Sequence, residues 1–191
     1  NGILFKGSNF LDVMTKVDTV VMDKTGTLTE GVFEVQEVVS KDIDKQELVN
    51  ITAAIESQST HPIASAIVAY AGKDAFAKMQ INDVEEVSGH GLKGTIDGRE
   101  VLAGNLKLLR KFNIDYPKEI ESIVYTIVVV AVDKQYKGHI TIADQIKEDA
   151  ESAITALHKL NIKTVMLSGD KQSVVDEVSK KLGIDNAYGD L

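Results

Sequence analysis

The sequence has no cysteine. Disulfides and thiolate metal sites are therefore excluded within this chain. It has only two prolines and no low-complexity run, which argues against disorder. No apolar run reaches the roughly 18–20 residues needed to cross a bilayer. The longest β-rich run, Tyr125 to Val132, reads as a buried strand. No secretory signal is visible. Acidic residues outnumber basic ones, 29 Asp and Glu against 21 Lys and Arg. The net charge of -8 disfavours binding to phosphate backbones, so nucleic acid is a poor partner. The chain opens at Asn1-Gly2 without a methionine and reads as an excised fragment.

What is present is globular. Hydrophobic residues make up 43% and charged residues 26% of the 191 positions, enough for one ordinary domain or two small ones. Val17 to Met22 is β-branched and apolar, as expected of a strand covered on both faces. It stops at the polar Asp23-Lys24-Thr25-Gly26-Thr27, and Val32 to Val39 follows as a strand. Asp44 reads as an N-cap with Glu47 at the capping-box position, opening a helix to about Gln58. Pro62 opens a second helix, with Ile63, Ala66, Ile67 and Tyr70 on one side.

From about Gln80 the pattern turns to β. Asp97-Gly98 signals a hairpin. A short helix spans about Leu106 to Lys111, and Tyr125–Val132 and Lys137–Ala143 read as strands around Asp133. Gln145 to Leu160 has helical spacing in Ile146, Ala150, Ala153, Ile154 and Leu157. Thr164–Leu167 then reads as a strand, followed by Ser168-Gly169-Asp170 and a helix from about Lys171 to Leu182. The expected fold class is α/β. A discontinuous domain, residues 1–33 plus 141–191, carries an inserted α+β domain, residues 34–140, built on an antiparallel sheet.

In open parallel sheets, ligands gather at the carboxyl ends of strands. Asp23 sits at such an end. A carboxylate there can attack a phosphoryl group and form an aspartyl phosphate. Such transfer needs mainly positioning and charge neutralisation, which Lys24, Thr25 and the N–H groups around Gly26 and Thr27 are suited to provide. For a lone Asp-Lys the plain reading, a strand-to-turn aspartate, would outweigh the catalytic one.

The whole string from Asp23 to Gly31, DKTGTLTEG, resembles the phosphorylation motif of P-type ATPases. The resemblance implies a haloacid-dehalogenase-like phosphorylation domain with Rossmannoid topology. It also implies ATP as phosphoryl donor, Mg2+ as cofactor with Asp23 and Thr25 as ligands, and Asp23 as nucleophile. In related phosphatases the second position after the nucleophile is usually an aspartate acting as general acid and base. Here it is Thr25, which favours a long-lived aspartyl phosphate and a pump over a soluble phosphatase. Ser168-Gly169-Asp170 resembles the Thr-Gly-Asp of the same family, with the hydroxyl kept. It precedes a helix, whose free N–H groups suit an anion. Asp144 and Lys147 resemble the family's Asp and basic residue near the hinge; alone they read as an N-cap and a solvated lysine.

Three further signals fall in the insert: Ser59-Thr60-His61-Pro62, Gly89-His90-Gly91, and Gly104-Asn105. Each is weak by itself, as a cap, a glycine turn and a hairpin end. No Rossmann-like strand precedes the glycines, so a dinucleotide fingerprint is rejected. Together they resemble the nucleotide domain of heavy-metal-transporting P-type ATPases. The resemblance implies adenine contacts from His61 and from Glu56, five residues earlier. It implies close backbone approach at Gly89 and Gly91, and closure of the site by Gly104 and Asn105. Thr60 departs from the glutamate often found there.

The opening Gly2–Gly7 and the residues to Val39 are most similar to zinc and cadmium exporters, with copper pumps as the alternative. The resemblance implies membrane helices, an actuator domain and a Gly-Asp-Gly-x-x-Asp segment outside these residues. The expectation is a cytoplasmic portion of a plasma-membrane pump that binds nucleotide but does not turn over alone.

Overall fold

In the computed structural model, residues 7, 12–72 and 74–191 are described. The opening segment resembling metal exporters, except Gly7, lies outside them. The chain forms two compact units. One combines residues up to Gly31 with Ile146–Leu191, and the other is Val32–Gln145.

The first unit holds a parallel sheet of three strands in the order β1 (Thr19–Asp23), β8 (Lys163–Leu167), β9 (Asn186–Tyr188). The register pairs Val20 with Thr164, Met22 with Met166 and Asp23 with Leu167. Paired residues share a face. The face holding Met22 and Met166 packs into one cluster with Ala150 and Ile154 of α4 (Ala150–Lys159) and Val175, Val178 and Leu182 of α5 (Gln172–Leu182). The opposite face is open among the described residues, and Val21 is 58% exposed. The apolar run up to Met22 is therefore not covered on both sides, because both helices serve the same face.

Gln145 and Ile146 belong to β7 (Gln135–Ile146), not to the helix that the spacing predicts. The helix begins only after Asp149, at Ala150. Ile146 still packs beside Ile154, which is why its spacing mimicked a helix position. The three-residue β9 was not foreseen, being too short to show a period.

The second unit holds a six-stranded sheet in the order β2 (Thr29–Ser40), β7, β6 (Thr126–Val132), β5 (Arg99–Gly104), β4 (Gly91–Ile96), β3 (Ile81–Val87). Neighbours from β3 to β7 pair antiparallel. On one face α1 (Lys45–Glu56) and α2 (Pro62–Ala71) pack against Val101, Ala103, Val128 and Val130. On the other, α3 (Leu106–Lys111) and a short 3-10 turn at Lys118–Ser122 cover Leu102, Val129 and Ala131. Strand β6 is thus buried on both faces, which explains its unbroken apolar sequence.

Helix α1 is buried nearly all round, with Leu48, Ile51, Ala54 and Ile55 at 1% exposure or less. Each such large aliphatic side chain contributes about 1.5–3 kcal/mol. Asp44 caps the helix, accepting from Gln46 and Glu47 N–H. Glu47 does not reach back to complete a capping box. Its carboxylate accepts from Arg99 Nη1 at 3.0 Å. Helix α2 buries Ala64 and Ile67, whereas Tyr70 is 58% exposed, so its inward face is offset from the expected stripe. The Asp97-Gly98 turn has φ of 48° and 78°, as a two-residue hairpin requires.

Candidate functional site

The parallel register explains how distant motifs meet in the first unit. Asp23 and Leu167 end neighbouring strands, so the loops that follow them leave the same sheet edge. Asp23 is exposed, and its Oδ1 accepts from Lys24 N–H at 2.9 Å. Lys24 is 4% exposed, and its Nζ lies 2.9 Å from Asp170 Oδ2. The loop Lys24–Leu28 is closed by Thr29 N–H donating to Lys24 O, and Gly26 takes φ +76° to allow it. Thr29 is fully buried, and its hydroxyl donates to Lys24 O at 3.0 Å. Lys147 joins from the far end of the sequence, its Nζ donating to Gly26 O at 3.1 Å. Asp144 is half-buried near the end of β7. Thr25 is exposed beside Asp23.

Ser168 is 5% exposed and its Oγ accepts from Asp170 N–H at 3.1 Å. It is not the N-cap of α5; that position is Lys171, which makes no side-chain cap. Gly169 is exposed between them. The start of α5 is not an open anion site either, because Gln172 N–H donates to Asp190 Oδ2 at 3.1 Å. Asp190 and Gln172 were missed from sequence. They are brought together by β9, which the sequence does not reveal.

Asp23 and Thr25 carry oxygen ligands only, a carboxylate and a hydroxyl. Among the described residues no three His, Cys, Asp or Glu cluster as a metal site. Mg2+ usually binds through one or two carboxylates plus phosphate and water oxygens, so Asp23 and Thr25 are a donor set that fits it.

The second unit holds a separate cavity of about 380 Å³. Glu56, His61, Gly89, Gly91, Gly104 and Asn105 all line it, together with Glu86, His90, Leu92 and Val128. His61 plays two parts. It is the N-cap of α2, with Nδ1 accepting from Ile63 N–H at 3.2 Å, which puts the ring proton on Nε2. Asn105 caps α3 through Lys107 and Leu108 N–H and donates to Gly89 O at 3.0 Å. That bond ties the hairpin end to the glycine turn.

The glycines also serve the packing of the hairpin itself. Gly91 and Gly104 face each other across β4 and β5. A Cβ on Gly91 would meet Ala103 O at 2.2 Å, and one on Gly104 would meet His90 O at 2.1 Å. Gly89 has φ +71° but open space around it. Glu56 is 7% exposed, and burial pushes its carboxyl up to about 7.

The profile of the haloacid dehalogenase-like hydrolases matches residues 17–191. The chain belongs to that family. A zinc-transporting ATPase of Synechocystis sp. (strain PCC 6803) is 45% identical over 194 residues, which is 100% of this chain and 26% of that protein. A copper-exporting P-type ATPase of Staphylococcus epidermidis is 38% identical over 199 residues, 100% of this chain and 24% of that protein. The crystal structure of a zinc-transporting PIB-type ATPase in the E2.Pi state superposes with a TM-score of 0.84 at 30% identity. That match covers 98% of this chain and 31% of the other. The chain thus spans about a quarter of the length of the curated relatives it matches. No helix among the described residues of this haloacid dehalogenase-like chain is long and apolar enough to cross a membrane.

Proposed function

We propose that this chain is the nucleotide-binding and phosphorylation portion of an ATP-driven heavy-metal pump. The second unit binds ATP in the cavity lined by Glu56, His61 and the paired glycines. A carboxylate oxygen of Asp23 attacks the γ-phosphorus in line. The bond from that phosphorus to its bridging oxygen breaks, and ADP leaves.

The observation that carries this reading is the environment of Asp23. An exposed strand-end carboxylate stands beside a buried lysine ion-paired to Asp170, with Thr25 where a hydrolytic general base would stand. Threonine is a poor base near neutral pH, so the phosphate persists long enough to drive a conformational change. Ser168, Gly169 and Lys147 flank the same sheet edge and are assigned to phosphate positioning. Asp23 and Thr25 would hold Mg2+, which supplies charge neutralisation for the phosphoryl oxygens.

Zn2+ or Cd2+ is the favoured cargo. Identity of 45% to a zinc transporter against 38% to a copper exporter supports zinc over copper. The partners are the membrane helices and the actuator domain of the same pump, with this portion on the cytoplasmic side of the plasma membrane.

The test is labelling of the full-length pump with γ-labelled ATP. Wild type should form an acid-stable, hydroxylamine-sensitive phosphoenzyme, and Asp23→Asn should form none. Undiminished labelling in that variant would move the nucleophile elsewhere.

A further inference from the structure

Glu56 ends α1 with a carboxyl that no donor or cation reaches among the described residues, although the side chain is 7% exposed. A buried carboxyl in that position faces the cavity rather than a protein partner. Its neighbours do not compensate a negative charge. Across the elements packed on α1, Lys93 lies 3.4 Å from Glu100, and Arg99 is held by Glu47 at 3.0 Å. Of the other ionisable groups lining the cavity, Glu86 is a second acid. His61 is committed at Nδ1 to the α2 cap, and His90 Nδ1 is bonded to Ser88 O. The wall of the same cavity also includes the apolar Ala64, Leu92 and Val128.

We propose that Glu56 meets the nucleotide base as a neutral carboxylic acid and that this proton makes the cavity choose adenine over guanine. The inference rests on an adenine nucleotide occupying this cavity. A neutral carboxyl offers one donor and one acceptor on adjacent oxygens. The amino edge of adenine offers one donor beside one acceptor, so both bonds are made. An ionised carboxyl is acceptor-only. It would set an oxygen against the lone pair of the adenine ring nitrogen, while suiting the two adjacent N–H donors of guanine. Sites that leave a buried polar group mismatched discriminate strongly. Burial holds this carboxyl protonated up to about pH 7, so the selectivity is expected to weaken above neutrality.

The experiment titrates adenosine, guanosine and ADP into the 191-residue chain from pH 5.5 to 8.5, in wild type and Glu56→Gln. The nucleosides carry no phosphate to ionise near neutrality. Glutamine keeps one donor and one acceptor at every pH. Wild type should lose adenosine affinity about tenfold per pH unit above neutrality, and its adenosine-to-guanosine ratio should fall in step. Glu56→Gln should show neither change. The ratio in wild type alone tests the idea should the variant fail to fold. Bound ADP with a pH-independent adenosine-to-guanosine ratio in wild type, or matching pH profiles in the two proteins, would overturn the proposal and leave the cavity reading standing. No ADP binding at any pH would overturn both.

Discussion

Lys24 Nζ lies 2.9 Å from Asp170 Oδ2, with the lysine side chain 5% exposed and the aspartate 44% exposed. The pair joins early and late parts of the chain at one sheet edge, tying the loop after β1 to the loop after β8. The buried partner sets the energetics. Removing Asp170 takes a carboxylate away from a buried ammonium, whereas removing Lys24 takes the buried charge itself away.

Asp170→Ala should therefore destabilise the chain by about 1–3 kcal/mol, and Lys24→Met by less than about 1 kcal/mol. Urea unfolding of both variants measures this. Equal losses would mean that the buried ammonium is not the costly member.

The glycine contacts predict a different order in the second unit. Gly91→Ala and Gly104→Ala each drive a Cβ into a carbonyl oxygen across the hairpin. Each should cost about 3 kcal/mol or more. Gly89→Ala meets no atom and faces only its positive φ, so about 1–2 kcal/mol is expected. Thermal and urea unfolding should rank the three in that order.

Glu56 should make stability pH-dependent. Its folded carboxyl is raised from 4.5 to about 7 by burial. The folded state then binds the extra proton, so stability is full below 4.5 and is lost as pH rises to about 7. Measured against Glu56→Gln, wild type should lose ~3 kcal/mol over that window, from about 1.36 kcal/mol per unit. A constant difference between the two proteins from pH 4.5 to 7.5 would contradict the assignment.

Tyr136 and His139 share a buried hydrogen bond of 2.7 Å to Nδ1. Desolvation lowers the imidazole below its usual range, against a smaller opposing pull from Glu37. The unfolded chain then binds a proton that the folded one refuses, so this pair costs stability as pH falls below about 6.5. Tyr136→Phe should remove about 1–2 kcal/mol at neutral pH by stranding a buried ring nitrogen. Chemical unfolding at pH 7.5 and pH 5.5 reads both effects.

Sequence alone was strong where local chemistry decides. Pro62, Asp44 and Asp97-Gly98 each fix a helix start or a turn through their own φ preference or side-chain cap, and those elements stand where the residues predict. The helix over Leu106–Lys111 is framed by Asn105 in the same way. The DKTGTLTEG string carried the family because its residue types are specific over consecutive positions.

Tertiary structure decided what depends on a distant neighbour. Ile146 has helical spacing but sits in β7, because a strand partner outweighs periodicity there. The open face beside Val21 depends on where α4 and α5 pack, which the strand's own sequence does not encode. Gly91 and Gly104 read from sequence as glycines of a binding site and line the cavity, but that each also makes room for the other strand's backbone depends on the pairing of β4 with β5. Lys24 is legible as a cation beside Asp23, but its burial and its pairing with Asp170 follow only from the parallel register. The motif around Asp23, on which the proposed phosphate-acceptor role rests, was legible because its residues are contiguous. The buried ion pair beside it was not, since burial and pairing are properties of the packed chain.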